Sequence, residues 1–514
     1  MKHQRLIIAR SLLLAAIALP AITCGQSAAP EADGILIQPI PGHKDYPVTP
    51  VPFTSVHVQD EFWFPRMETN RKVTVKADFK KCEETGRIDN FAKAGGLMTG
   101  EFKGMVYDDS DVFKVIEGAS YTLAIHPDPE LETYLDGVIA KIASAQEPDG
   151  YLYAARKLIA PDKMPAQSGK ERWTHEKDSH ELYNVGHLYE AAVAHFQATG
   201  KKTLLDAATK NADLICKEFT PGKHQNPPGH EEIEIGLCKL YRTTGERKYL
   251  DLAKFLIDVR GRPETHPLYG THYQDHKPVV EQDEAVGHAV RAAYLYSGMA
   301  DVAALTGDEA YLKAIDRIWE NVVFKKLYLT GGIGASHGGE AFGKNYELPN
   351  KSAYNETCAA IANALWNYRM FLLHGDARYL DVFVNLFIGG TGEVRLGQQV
   401  VKITQQTKYP WDGRITMAIA PDAPGEFALN VRIPGWAQGR PVPGDLYTYM
   451  DQPLDPVALK VNGKDEAGNA ITKPACMLAI PYYAWCNRGP NEMNVWLART
   501  ADKAQPVSAN TTTK

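Results

Sequence analysis

Several things are missing from this 514-residue sequence, and each absence narrows what the protein can be. It has no block of basic residues: 56 Lys and Arg stand against 62 Asp and Glu, for a formal net charge of -6. That balance argues against nucleic acid as a partner. It has no CxxC pair either, since the seven cysteines, at 24, 82, 216, 238, 358, 476 and 486, are scattered. A disulfide framework is therefore not written into the spacing, and Cys216 and Cys238 fall in helical apolar patterns where an inert buried thiol is the commoner case. Beyond the first 29 residues no apolar run is long enough to span a bilayer.

What is present begins with MKHQRLIIARSLLLAAIALPAITCG, which has a basic start at Lys2, Arg5 and Arg10 and an apolar run from Leu12 to Ile22. Residues 1–29 therefore read as a signal peptide, and the expectation is export to the periplasm or beyond. Cys24, after Ala21-Ile22-Thr23, offers an off-pattern lipoprotein box and so a candidate lipid anchor.

Residues 30–59 are Pro-rich and read as a linker with N-terminal strands, the alternating VPFTSVHVQDEFW running on to Trp63. From about Val112 the period becomes helical and a unit recurs: a helix, a Gly turn, a Leu-Leu or Tyr-Leu pair, and a second helix. It reads AHFQATGKKTLLDAATKNADLI around Gly200, with further copies around Gly245, Gly307 and Gly375. An earlier relative uses Pro127 and Pro129 at its turn. A Gly at C′ closes one helix in the left-handed conformation, so each copy is an antiparallel hairpin.

The spacing between copies is too uneven for a solenoid and suits a closed ring, an α/α toroid over residues 60–386. Such a ring takes six hairpins, and five can be found. Residues 387–500 alternate as antiparallel strands do, in QVVKITQQTKYPWDGRITMAIAP and EFALNVRIPGWAQG, and read as a shortened β-sandwich domain. Residues 501–514 form a polar tail expected to be disordered. The fold class is thus mainly α, a helical toroid followed by a β-sandwich.

Three hairpins open on Gly-His, at His187, His230 and His288. A ring points the starts of its inner helices at one face, so these histidines are expected to converge on a polar pocket suited to a sugar. Glu340 lies in the Gly-rich stretch GGIGASHGGEAF, where a loop can carry a carboxyl group into such a pocket, and Glu347 in YELPN is a second candidate with weaker context. Glycoside hydrolysis commonly uses two carboxyl groups, and the partner is not evident from spacing. Glu356 and Cys358 bear two metal-ligand side chains, but on a helix they would face about 200° apart. They can share an ion only where the chain turns into a helix, and together they supply two of the four ligands zinc normally takes.

GGIG, GEAF, YELPN and ETCAAIANALWN together resemble glycoside hydrolase family 127, the β-L-arabinofuranosidases. The likeness continues through HELYNVGHLYEAAVAH, HEEIEIGLCKLY, DHKPVVEQDEAVGHAVRAAYLYSGMADVA, YPWDG, VRIPGWA and AIPYYAWCNRGPNEMNVWL. It implies a six-hairpin α/α barrel with β-sandwich domains, acting with retention on the terminal L-arabinofuranose of an arabinose-containing plant glycan or oligosaccharide. It also implies a cysteine thiolate nucleophile, a glutamate acid/base, and a zinc ion held by a Glu, a Cys and an adjacent Cys pair that includes the nucleophile. Carried over by motif, Glu340 is the acid/base, Glu356 and Cys358 are two zinc ligands, and His187, His230 and His288 contact the sugar.

The chain departs from that pattern where the Cys pair should follow the fifth hairpin. It runs from YLDV directly into FVNLFIGGTGEV, and no Cys occurs between Cys358 and Cys476. A second shortening falls between VNGKDEAGN and KPACMLAIPYYAW. The expectation is a hydrolase by descent, impaired by loss of its nucleophile and holding an incomplete zinc site. The alternatives are a carbohydrate-binding paralogue without catalysis, or a metal-free α/α-barrel hydrolase, lyase or epimerase. An opened ring would also leave apolar flanks that a second copy could cover as a homodimer.

Overall fold

The computed structural model describes residues 43–382, 387–450, 458–461 and 464–465. The expected signal peptide, Cys24, Cys476, Cys486 and the tail lie outside them, as does most of the junction after Val382.

The chain enters through a short strand β1 (Val56–Val58) and three helices, α1 (Trp63–Thr69), α2 (Val75–Glu84) and α3 (Arg87–Ala94). These helices precede the point at which sequence periodicity turned helical. The reason is visible in α2, which buries only Val75, Phe79 and Cys82 among charged neighbours, a stripe too thin to register.

The hairpins follow as α4 (Asp109–Ile125) with α5 (Pro129–Ala145), the short α6 (Ala154–Leu158), α7 (Glu181–Thr199) with α8 (Thr203–Glu218), α9 (Ile233–Thr244) with α10 (Arg247–Asp258), and α11 (Ala289–Thr306) with α12 (Glu309–Lys325). Of the fifth, the described residues show only the first helix, α13 (Thr357–His374), followed by a single 3-10 turn at Ala377–Val382. Gly200, Gly245, Gly307 and Gly375 each close a helix at positive φ, between 64° and 77°, as the turn signals required. Asp128 caps α5 by accepting from Leu131 N, with Pro129 at the first helical position.

The first helices of the hairpins pack side by side in chain order, α4 on α7, α7 on α9, α9 on α11 and α11 on α13. Among the described residues, α4 and α13, the two ends of this row, share no comparable packing, so these helices alone do not close the ring. Ile361, Leu365 and Tyr368 on α13, spaced four and three apart on one helix face, stay 38–54% exposed at the seam, and Tyr121 on α4 is 38% exposed.

One end of the ring is crossed by residues 43–50. Tyr46 Oη donates to Asp301 Oδ1 at 2.8 Å, and Asp45 pairs with Arg242 at 2.8 Å. Asp301 also takes Arg242 at 2.9 Å and Arg369 at 2.8 Å, so one buried carboxylate joins the arm, α9, α11 and α13. Burial alone would raise Asp301, and the two guanidinium groups outweigh it and hold the carboxyl below its usual range.

A four-stranded antiparallel sheet lies against the ring in the order β1, β2 (Gly390–Leu396), β3 (Gln399–Thr407), β4 (Ile415–Pro421), with Val56 opposite Gly392. Asp60 ties this sheet to the helices. Its Oδ1 accepts from the backbone at Phe62 and Phe64, and its Oδ2 accepts from Gly389 N. The stretch EFALNVRIPGWAQG, expected to add a strand, forms no regular strand and ends in a 3-10 turn at Gly435–Gln438.

Candidate active site

Glu340 is placed by its backbone before its side chain does anything. It adopts φ 53°, a left-handed conformation that costs a non-glycine residue of order 1 kcal/mol. The loop is pinned there: Ala289 N donates to Glu340 O at 3.0 Å, Phe342 N to Gly287 O at 2.9 Å, and Ser336 and Ala341 exchange two backbone bonds. The carboxylate is thereby set beside the start of α11, where His288 Nε2 donates to Oε2 at 2.8 Å. Tyr354 Oη donates to Oε1, also at 2.8 Å.

His288 is the N-cap of α11, and its Nδ1 accepts from Arg291 N at 3.4 Å, which leaves the proton on Nε2 to face Glu340. Burial, and then the charge of Arg291, push His288 down to about 4, so the ring is neutral at neutral pH. Burial raises the Glu340 carboxyl, but Tyr354, His288 and Arg291 together outweigh it and hold it below its ordinary value. Resting Glu340 is a carboxylate accepting two hydrogen bonds.

Beside it runs a row of imidazoles. The rings of His180 and His230 are 5.7 Å apart, those of His230 and His288 5.6 Å, and those of His288 and His272 5.7 Å. His180 and His230 each give Nδ1–H to a backbone carbonyl at 2.9 Å, of Asp178 and Glu231, which leaves Nε2 of each as an acceptor for a hydroxyl group. Burial and then, for His230, Arg291 keep both rings neutral, with His180 pushed down to about 4. A row of neutral acceptors, with Tyr183 packed 4.3 Å from His230, suits a polyhydroxylated ring.

His230 and His288 thus stand where the sequence placed them, and His187 does not. Helix α7 begins at Glu181 with His180 as its N-cap, so His187 lies seven residues inside, about 10 Å along the axis. Its ring is buried below Tyr183. The Gly before it has a packing reason: a Cβ on Gly186 would come within 2.7 Å of Glu232 Cγ and Ile233 N, where α7 meets the start of α9. His180, His272 and Tyr354 were missed by sequence reasoning. Alignment on the helix start rather than on the Gly-His dipeptide would have selected His180.

Glu356 and Cys358 come together because the chain bends between them. Glu356 is the N-cap of α13 with extended ψ 139°, and Thr357 is the first helical residue. Burial, and then a hydrogen bond to the Glu356 carboxylate, push the Cys358 thiol up to about 11. Glu356 Oε2 is buried without a hydrogen-bond partner, and one ligand atom each from His288, Glu340 and Glu356 lie within 4.8 Å of one another. The cluster can hold a metal ion. For zinc in a sulfur-rich site, however, the described residues supply only half: Cys82, Cys216 and Cys238 lie on α2, α8 and α9, the first and last of them buried in the core. Glu347 accepts from Lys344 N in its own turn and takes no part.

Residues 55–385 match a family profile described as Beta-L-arabinofuranosidase, GH127 catalytic domain, and residues 381–475 one described as Beta-L-arabinofuranosidase, GH127 middle domain. A non-reducing end beta-L-arabinofuranosidase of Bifidobacterium longum subsp. longum is 40% identical over 324 residues, covering 59% of this chain and 49% of that protein. The chain thus spans about half the length of that relative. A solved GH127 beta-arabinofuranosidase superposes with a TM-score of 0.79 at 46% identity, over 84% of this chain and 78% of that one. A GH127 beta-L-arabinofuranosidase from Geobacillus stearothermophilus T6 gives 0.70 at 35% identity, over 75% of each chain.

Proposed function

The chain belongs to the GH127 β-L-arabinofuranosidase family, and from that premise we propose that it is an exported glycoside hydrolase that takes terminal L-arabinofuranose from a plant glycan or oligosaccharide, with impaired turnover. The observation that carries this reading is the Glu340 carboxylate, held by His288 and Tyr354 beside a row of neutral imidazoles.

In that arrangement the sugar hydroxyls donate to Nε2 of His180 and His230, and Glu340 stands beside the glycosidic oxygen. A general acid/base works best with its pKa near the working pH. Glu340, held low by its two donors, is ready as the base that activates water and poorly prepared as the acid that protonates the leaving group. Retention further requires a nucleophile. Cys358 is the cysteine nearest this role among the described residues, and its proton is held against Glu356, whereas a nucleophilic thiol must be ionised. Zinc is part of this reading only at Glu356 and Cys358, which provide two of its usual four ligands.

The test is hydrolysis of an aryl β-L-arabinofuranoside by the purified chain. Slow turnover, lowered further in Glu340→Gln, is expected. Robust, zinc-dependent turnover abolished by Glu340→Gln would sink the impairment, and turnover that survives Glu340→Gln would sink the role given to Glu340. The protonated state of Cys358 also favours a second reading, a carbohydrate-binding protein without catalysis. Calorimetry with arabinosides separates the two, since saturable binding with hydrolysis no faster than in Glu340→Gln selects the second.

A further inference from the structure

Beneath the imidazole row lies a second set of polar side chains that the proposed chemistry does not use. His187 on α7 is 3% exposed, and neither ring nitrogen makes a hydrogen bond, although Nδ1 faces Glu232 Oε1 at 3.2 Å and Glu190 Oε2 at 3.9 Å. Glu232, the N-cap of α9, is 1% exposed and its Oε1 also has no hydrogen-bond partner. One ligand atom from each of His187, Glu190 and Glu232 lies within 4.8 Å of the other two. Buried polar groups are normally paired, and His187 Nδ1 and Glu232 Oε1, 3.2 Å apart but not in hydrogen-bonding geometry, are spaced as two ligands of one ion are.

We propose that His187, Glu190 and Glu232 form a binding site for a divalent transition-metal ion, distinct from the Glu356 and Cys358 pair. One imidazole nitrogen with two carboxylate oxygens suits Zn²⁺ or Mn²⁺. The local charge leaves room for it. Glu117, Glu190 and Glu232 converge here from three helices, and Lys239 bonds Glu190 and reaches Glu117 at 3.1 Å while Lys114 is engaged by Ser110 and Tyr183. A cavity of about 340 Å³ at the far end of the ring, lined in part by Lys239, Val193 and Tyr121, reaches the lysine that bonds Glu190.

The ion would clamp α7 to the start of α9. Glu232 is two residues from His230, so the same short stretch of chain carries a ligand of the ion and a ring of the sugar row. The site is structural, and its occupancy fixes His230.

The experiment uses the full chain, stripped with a chelator and titrated separately with Zn²⁺ and Mn²⁺ by calorimetry, with bound metal counted after gel filtration. The wild type and Cys358→Ala should each take up an ion with a rise in melting temperature. His187→Asn and Glu190→Gln should bind it at least tenfold more weakly and lose that rise. Circular dichroism confirms that each variant is folded, and the conservative Glu190→Gln serves if His187→Asn is not. Equal uptake by the wild type and both variants overturns the proposal, as does uptake by none, or uptake that disappears in Cys358→Ala.

Discussion

Tyr354 Oη donates to Glu340 Oε1 at 2.8 Å, from a segment that leads directly into the bend carrying Glu356 and Cys358. The acid/base candidate and the metal-ligand pair are thus joined through one short stretch of chain.

Removing that donor moves Glu340 in a defined direction. A hydrogen bond to the charged form favours that form, so Tyr354→Phe raises the Glu340 pKa toward its ordinary value. The limb of the kcat/KM profile that reports Glu340 should shift to higher pH. An unmoved profile would mean that another group sets it.

Glu340→Gln should lower hydrolysis of an aryl arabinofuranoside by about 10²-fold or more, the usual contribution of a positioned acid or base. Binding of the sugar, measured by calorimetry, should change far less, because the imidazole row is left in place.

Cys358 should react slowly with iodoacetamide at pH 8 despite its exposure, since its thiol titrates near 11. Glu356→Gln removes the neighbouring anion and should speed alkylation, as read by mass spectrometry. Rapid alkylation of the unmodified chain would show that the thiol is already ionised.

The Asp301 junction gives a stability prediction. Its folded pKa is depressed, so its contribution is present above the unfolded pKa of about 3.9 and is lost as pH falls through the lower folded value. Asp301→Asn leaves Arg242 and Arg369 without their shared buried partner and should cost roughly 3–5 kcal/mol in denaturant melts.

The histidines lose stability in the same direction, but over a higher pH window. His180 and His288 are held neutral with folded values near 4, below their unfolded value of about 6.5. Their contribution is complete above about 6.5 and declines as acid approaches 4. The melting temperature should fall between pH 7 and 5, with a shallower slope in His180→Asn.

The sequence showed the hairpins clearly because a glycine forced to positive φ is a strong and local signal, and all four turn glycines close helices as expected. It singled out Glu340 by its Gly-rich loop, and that carboxylate lies beside His288. It misplaced one histidine because Gly-His at His187 reflects the close approach of α7 and α9 at Gly186, a packing constraint that looks identical to a binding motif along the chain. His272 and Tyr354 carry no local pattern. Their roles depend on loops that meet residues 16 and 14 positions away, and no period or dipeptide records such a meeting.

Asp60 has a consequence for how the protein is made. Its bond to Gly389 joins residues 329 positions apart, and β1 pairs with β2 over the same span. The first strand to leave the ribosome has no partner until nearly the whole ring has been synthesised. At translation speeds of about 5–20 residues per second, that is a wait of tens of seconds with an unpaired edge. A cell making this protein in quantity would have to keep that nascent edge apart from its neighbours, and inclusion bodies are the expected result of rapid overexpression.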